Sequence, residues 1–334
     1  MLLFVFDDIY NAMEQIKSQI FNQSKDQLQF AFGGAAISGE AGGYGFGSIS
    51  EEDSIRLLDE AFERGIRVFD SAPIYGFGDS EVRMGKAFRK KREKVYLVSK
   101  CGVDWHENRR VNMSNDPKIC QKMLEQSLRR FQSDYIDLYM LHWPDSKVDV
   151  RHSLEVLFKA KDQGKIVEIG LCNTTLDDYQ KASELGEISV LQGEWSALQR
   201  QNKEIRELAK KEAMAWMSWG PFDKGILTKR VNKDRKITDK ADCRSWAPWW
   251  KAMDKESKYQ IVSRIDQQLQ ETDFDLLDFS VAFQKIQGPR SLAIFGFRNS
   301  EQLAGVYDSF QKNFPKDLMK KIFENVFGEV FDEH

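Results

Sequence analysis

The run Tyr135-Ile136-Asp137-Leu138-Tyr139-Met140-Leu141, the stretch Ser153–Gln163 and the run Ile166-Val167-Glu168-Ile169-Gly170-Leu171 decide the fold. They read as strand, amphipathic helix and strand, with Gly164 where the helix should stop. The alternation continues in both directions. Upstream, strand-like apolar runs stand at Gln29–Gly33, Ile66–Phe69 and Val95–Ser99; downstream they stand at Ser189–Gln192, Ala213–Met217 and Leu292–Phe295. Between the runs, Asp53–Arg64 sets Ile55, Leu58, Ala61 and Phe62 on one helical face. Glu81–Lys90, Pro117–Phe131, Leu176–Leu185, Lys203–Lys211 and Glu301–Phe310 behave alike, with Asp116-Pro117 and Ser300-Glu301 as starts and Gly186 as a stop. About eight strands, each followed by a helix, predict a single-domain (β/α)8 TIM barrel rather than a doubly wound sheet.

Two regions stand outside the repeat. Residues 1–27 form an N-terminal extension in which Ile9, Met13, Ile16 and Ile20 are spaced as one apolar helical face. That face either packs on the barrel, taken as residues 28–334, or meets a partner. After Gly225 a long late loop carries Ser245-Trp246-Ala247-Pro248-Trp249-Trp250. Its tryptophans either cover a substrate at the barrel mouth or build a satellite core.

Composition narrows the class. Hydrophobic residues make up 41% and charged residues 30% of 334 positions, ordinary for a globular protein, and the net charge of −3 offers no footprint for nucleic acid. No apolar run reaches membrane-spanning length. Met1–Phe6 is too short for a signal sequence, and Asp7-Asp8 follow it. Cys101, Cys120, Cys172 and Cys243 lack CxxC spacing and read as reduced thiols of a cytoplasmic protein, not a disulfide or zinc framework. No exposed apolar face can be assigned, so the oligomeric state is unread.

The chemistry gathers at strand ends, where a barrel carries its active site. Asp70 follows the second run, Lys100 ends the third, His142 ends the fourth, and Tyr75 lies five residues past Asp70. Each alone has an ordinary structural explanation, as a core histidine or a surface ion pair. Together they compose a general-acid device. A free phenol with a pKa near ~10 is a poor acid catalyst at neutral pH. A lysine ammonium held by a carboxylate is expected to lower that pKa, and a histidine to orient a carbonyl.

These residues carry a resemblance. From about Leu28 to Phe310 the chain resembles the aldo-keto reductases: Asp70-Ser71-Ala72-x-x-Tyr75-Gly76 is similar to their Asp-Thr-Ala-x-x-Tyr-Gly segment. Val98-Ser99-Lys100 is similar to their lysine strand and Leu141-His142-Trp143-Pro144 to their histidine strand. The resemblance implies Tyr75 as general acid/base, Asp70 and Lys100 as its tuning pair, and His142 as carbonyl-orienting partner. It also implies direct hydride transfer, without metal, from a nicotinamide cofactor, usually NADPH.

Cofactor contacts follow from the same resemblance. Gly170-Leu171-Cys172-Asn173 resembles Gly-x-Ser-Asn, so Cys172, Asn173 and Gln192 would hold the nicotinamide carboxamide, with a weaker thiol donor in place of serine. Trp219, in Trp219-Gly220-Pro221-Phe222, would stack on the nicotinamide ring. Arg298 and Gln302, in Gly296-Phe297-Arg298-Asn299-Ser300-Glu301-Gln302, would grip the adenosine 2′-phosphate, favouring NADPH over NADH. Phe295 stands where the family has proline, and Val306 where it has an adenine-contacting asparagine. The glycine-rich stretch Gly33 to Gly47 contains neither a complete GxGxxG nor GK[ST], and reads as a turning loop near the mouth.

The expected activity is reduction of an aldehyde, a ketone or an open-chain sugar. Trp105, Trp143, Trp246 and Trp249 suggest apolar walls for a small-molecule pocket. Other readings are an NAD(P)-dependent sugar dehydrogenase of the same family and a Schiff-base aldolase using Lys100. A redox-sensing binding subunit is a further one, since the auxiliary β subunits of voltage-gated potassium channels resemble this family too.

Overall fold

The computed structural model describes residues 30–331 apart from residues 41 and 289. The extension expected at residues 1–27 lies outside the described residues. In chain order the elements are β1 (Phe30–Gly33), α1 (Glu51–Glu63), β2 (Val68–Asp70), α2 (Asp79–Phe88) and β3 (Tyr96–Cys101). A hairpin of β4 (Val103–Trp105) and β5 (Val111–Met113) precedes α3 (Pro117–Phe131), β6 (Ile136–Leu141), α4 (Val150–Asp162) and β7 (Ile166–Cys172). Then follow α5 (Leu176–Ser183), β8 (Val190–Glu194), α6 (Lys203–Lys211) and β9 (Ala215–Trp219). The late segment holds α7 (Pro248–Ala252), α8 (Lys255–Leu269) and α9 (Leu276–Lys285), after which come β10 (Ser291–Phe295), α10 (Ser300–Gln311) and α11 (Lys316–Ile322).

The parallel strands close in the order β1-β10-β9-β8-β7-β6-β3-β2, the eight-stranded barrel that the alternation implied. Alternate strand residues divide the core in two. Val68, Tyr96, Val98, Leu138, Met140 and Ile294 belong to the cluster that fills the barrel. Phe69, Leu97, Tyr139, Ile169 and Leu191 belong to the larger cluster between strands and helices. The same alternation on β3 sends Lys100 inward with Val98, while Ser99 and Cys101 face the helices. One carboxylate lies deep inside: buried Glu168 accepts the Tyr96 hydroxyl at 2.7 Å.

Helix starts follow capping chemistry. Asp116 accepts from Lys118 N and Ile119 N ahead of Pro117, as its sequence position suggested. The start near Ser300 is capped one residue earlier, by Asn299.

Two departures from the sequence reading matter. The β4–β5 hairpin was not expected; its turn closes through His106 N to Arg110 O (3.0 Å), with Arg109 at φ +63°. The late segment is also more than a loop, because Asp254 caps α8 and Asp275 forms a capping box with Asp278 on α9. The rest of that segment is fastened to the glycine-rich loop after β1. Phe46 bridges Asp242, Cys243 N donates to Gly45 O at 2.9 Å, and Ser48 N donates to Asp239 Oδ2 at 2.6 Å. Of the loop tryptophans, Trp250 joins the core, whereas Trp246 and Trp249 are each 37% exposed. No helix of the described residues is long and apolar enough to cross a membrane.

Candidate active site

At the carboxyl ends of β2 and β3, Lys100 Nζ donates to Asp70 Oδ1, Asp70 Oδ2 and Ser71 O, each at 2.8 Å. An ammonium has three hydrogens. The two oxygens of one carboxylate lie too close together to take a separate, well-aligned hydrogen each, so the ammonium holds Asp70 as one partner and Ser71 O as a second. Lys100 is fully buried and Asp70 nearly so, which a charge pair tolerates only when its remaining hydrogen-bond capacity is met. Ser71 is held in turn: its N–H donates to Val98 O at 2.8 Å, its hydroxyl to Ser80 Oγ at 2.9 Å, and Ser80 passes the chain to Gly34 O at 3.0 Å. Ser71 lies inside the Asp70–Gly76 motif but was given no role, and Ser80, outside any motif, was missed.

Tyr75 sits on the turn between β2 and α2, where Gly43 bridges it from the glycine-rich loop. Its ring meets His142 edge-on, with centroids 6.1 Å apart and planes at 89°, and Lys100 Nζ lies 5.7 Å from its centroid. Burial, then the Asp70 charge, pushes the Tyr75 phenol well above its ordinary pKa of 10. This corrects the expected lowering: burial outweighs the rest, and the charge that acts next on the phenol is Asp70 rather than Lys100. His142 moves oppositely. Burial, then the Lys100 charge, holds it well below 6.5, leaving a neutral imidazole that can donate from one nitrogen.

The strands beyond bring the other candidates to the same place. Gln192 Nε2 donates to Asp70 Oδ2 at 2.9 Å, and Cys172 Sγ donates to Gln192 Oε1 at 3.2 Å. Asn173, at φ +51°, donates to His142 O at 3.1 Å and accepts from Trp219 Nε1 at 3.0 Å. Eight of the sequence candidates, from Asp70 to Trp219, thus form one cluster.

Arg298 and Gln302 form a second cluster at the start of α10. Gln302 Oε1 accepts from Arg298 N at 2.9 Å, and Arg298 Nη2 donates to Ser48 O at 2.6 Å. Among the described residues, Arg298 Nε is buried without a partner. The surrounding cleft of about 590 Å³ is lined by Ser50, Asp53, Arg56, Asn299 and Glu301 among others. The glycine-rich loop spans both clusters, with Gly43 at Tyr75 and Ser48 at Arg298. Phe295 is fully buried against Phe30 and Phe297, and Val306 is also buried.

A cavity of about 520 Å³, lined by Gly43, Tyr44, Phe77, Trp246, Arg109 and Lys240 among others, opens at the glycine-rich loop that bridges Tyr75. Tyr44 packs edge-on against Trp246 at 5.5 Å, and Trp105 supports Phe77 from behind at 5.3 Å. Tyr44, Phe77, Arg109 and Lys240 were not singled out in the sequence. The alternation Val103-Asp104-Trp105 and Val111-Asn112-Met113 around a polar turn was the available signal for the hairpin carrying Arg109.

Comparison with known proteins identifies the family. The sequence model of the Aldo/keto reductase family matches residues 29–325. An aldo-keto reductase of Bacillus subtilis (strain 168), YhdN, is 30% identical over 270 residues, 79% of this chain and 81% of that protein. An NADH-specific methylglyoxal reductase of Escherichia coli (strain K12) is 31% identical over 202 residues, 56% of this chain and 62% of that protein. The structure of a glycerol dehydrogenase from Gluconobacter oxydans superposes with a TM-score of 0.77 at 27% identity, covering 91% of this chain and 94% of that one. The chain belongs to the aldo/keto reductase family of NAD(P)H-dependent oxidoreductases acting on carbonyl substrates.

Proposed function

We propose that this protein is an NADPH-dependent reductase of an aldehyde, a ketone or an open-chain sugar, with Tyr75 as the general acid. The observation that carries the reading is the Tyr75 ring edge-on to His142, with Lys100 Nζ 5.7 Å from its centroid and held by Asp70 and Ser71 O. His142 orients the carbonyl by donating a hydrogen bond, without delivering its proton. Tyr75 then gives its proton to the oxygen as negative charge builds there. An alkoxide is a stronger base than an ordinary phenolate, which favours that transfer, and the raised pKa of Tyr75 keeps the proton on the phenol until charge builds on the oxygen. Lys100 and Asp70 hold their charges fixed, which avoids reorganisation during the reaction.

The residues present fit a nicotinamide cofactor. Gln192 Nε2 keeps one hydrogen and Asn173 Oδ1 one lone pair, the donor and acceptor that a carboxamide needs. The buried Arg298 Nε lacks an acceptor, and a phosphate on the adenosine ribose would satisfy it, favouring NADPH. Bound in this way, the reduced nicotinamide supplies the hydride.

Replacement of Tyr75 by Phe tests the reading: turnover of a carbonyl panel should almost vanish while NADPH affinity stays near wild type. Unchanged turnover would sink it. A second reading, alcohol or sugar oxidation with NAD(P)+, draws on the likeness to the Gluconobacter oxydans glycerol dehydrogenase. It requires a phenolate at Tyr75, which burial and Asp70 oppose, so reduction should be the faster direction near neutral pH. The aldolase reading needs a neutral, free amine at Lys100. Held by a carboxylate and a carbonyl, Lys100 should yield no borohydride-trapped adduct with any carbonyl in that panel.

A further inference from the structure

The hydrogen bonds beneath the candidate nicotinamide site have one direction. Trp219 Nε1 donates to Asn173 Oδ1 (3.0 Å), Asn173 Nδ2 to Cys172 Sγ (3.2 Å), Cys172 Sγ to Gln192 Oε1 (3.2 Å) and Gln192 Nε2 to Asp70 Oδ2 (2.9 Å). Both ends dictate this order. An indole N–H can only donate, so Asn173 turns its oxygen to Trp219 and its nitrogen to Cys172. An ionised carboxylate can only accept, so Gln192 turns its nitrogen to Asp70 and its oxygen to Cys172. The atom between the two amides must therefore accept from one and donate to the other. A protonated thiol does both; a thiolate or a methyl does not. Each dipole points toward the Asp70 charge, the arrangement in which successive bonds polarise one another.

We propose that Cys172 is a positioning residue for carbonyl reduction: its thiol proton holds the Gln192 amide onto Asp70 and thereby sets the charge beside Tyr75. Cys172 and Gln192 are almost fully buried, so bulk solvent does not reach the place of the missing donor. Burial also lifts the thiol pKa to about 12, which keeps that proton in place. Without it, Gln192 Oε1 is left unsatisfied in the barrel, and its amide turns to find another donor. Asp70 then keeps Lys100 but loses its other hydrogen-bond donor. This role lies beyond contact with a carboxamide, because it acts through Gln192 on the proton device.

The proposal rests on Tyr75 being the general acid, so its test needs one readout independent of turnover. The titratable groups facing Tyr75 are Asp70, Lys100 and His142 from the strand ends, Cys172 itself, and Cys243 from the late segment. The comparison is of wild type, Cys172→Ser, which keeps a donor, and Cys172→Ala, with Cys172→Val in its place if the alanine variant does not fold. The first readout is the ¹⁵N side-chain amide resonance of Gln192, identified by its absence in Gln192→Glu. It should move in the alanine variant and stay near wild type in the serine variant. The second is kcat against pH in the alcohol-oxidising direction. In Cys172→Ala the Asp70 charge is less neutralised, the phenolate is harder to form, and the rising limb moves to higher pH. The same variant should lose about tenfold in kcat, the equivalent of one hydrogen bond, and serine should restore both.

An unmoved Gln192 resonance in Cys172→Ala would overturn the relay. So would a variant that changes only cofactor affinity, with kcat and the pH limb intact, since Cys172 would then be a plain cofactor contact. Retained turnover in Tyr75→Phe alongside a moved Gln192 resonance would instead overturn the general-acid reading and leave the relay standing.

Discussion

Lys100 reaches from β3 to Asp70 at the end of β2 and donates to both carboxylate oxygens at 2.8 Å, in a wall where the two side chains are 0% and 5% exposed. Such a pair is not a cheap source of stability, because desolvation of two charges offsets much of their attraction. Its asymmetry is informative: removing one partner strands the other.

Asp70→Asn should therefore destabilise the fold by about 3–5 kcal/mol, the cost of an uncompensated buried charge. Urea unfolding of the two proteins would measure it. A loss below about 1 kcal/mol would mean that the Ser71 carbonyl and solvent hold the ammonium without its carboxylate.

His142 contributes a pH dependence of calculable sign. Its folded-state pKa lies below 6.5, so the folded protein holds it neutral where the unfolded chain takes a proton. Stability from this residue is fully present above about 6.5 and declines as pH falls through that value toward the folded pKa. Against His142→Gln, wild type should lose stability progressively as pH falls below about 6.5, and the two should run parallel above it. Parallel curves throughout would contradict a neutral buried imidazole.

Gly76 follows Tyr75 at φ +65°, and a Cβ there would lie 2.0 Å from the Ser38 carbonyl. Gly76→Ala should cost about 1–3 kcal/mol and lower kcat by displacing the Tyr75 turn. Gly328 is the control. It has a similar φ of +68° but open space around it, so its alanine variant carries only the backbone strain and leaves kcat alone. Thermal unfolding and steady-state rates on both variants separate strain from collision.

Arg298 is fastened by Ser48 O on one side and has a buried, unpartnered Nε on the other. If that donor serves an adenosine 2′-phosphate, Arg298→Ala should weaken NADPH binding about ten- to a hundredfold. NADH binding, lacking that phosphate, should change little. Fluorescence titrations with both cofactors give the ratio; equal losses would assign Arg298 to holding the Ser48 loop alone.

Much of the site was legible because its motifs are short. Asp70 and Tyr75 lie on one turn, and Cys172 and Asn173 are adjacent, so local spacing carried them. The barrel strands were legible for a similar reason: apolar runs of strand length alternated with helical spacing. The β4–β5 hairpin was harder to read, since its strands are only three residues each and its polar turn is built around a left-handed Arg109. The late segment hid α8 and α9 because a conspicuous tryptophan cluster drew attention from the spacing of Val262, Ile265 and Leu269.

By itself the sequence determined the order of strands and helices, the closed barrel they imply, and which side chains stand at the strand ends. Hydrophobic period and strand direction suffice for that, being local and additive. Only the tertiary structure decided what those side chains are bonded to. Gln192 and Asp70 are 122 residues apart, and Lys100 could have faced Tyr75 instead of spending its hydrogens on Asp70 and Ser71. Burial first, and the nearby Asp70 charge second, set the direction in which the Tyr75 pKa moves. Burial and charge distance are set by barrel closure, which brings distant strand ends within hydrogen-bonding range, and no spacing along the chain encodes them.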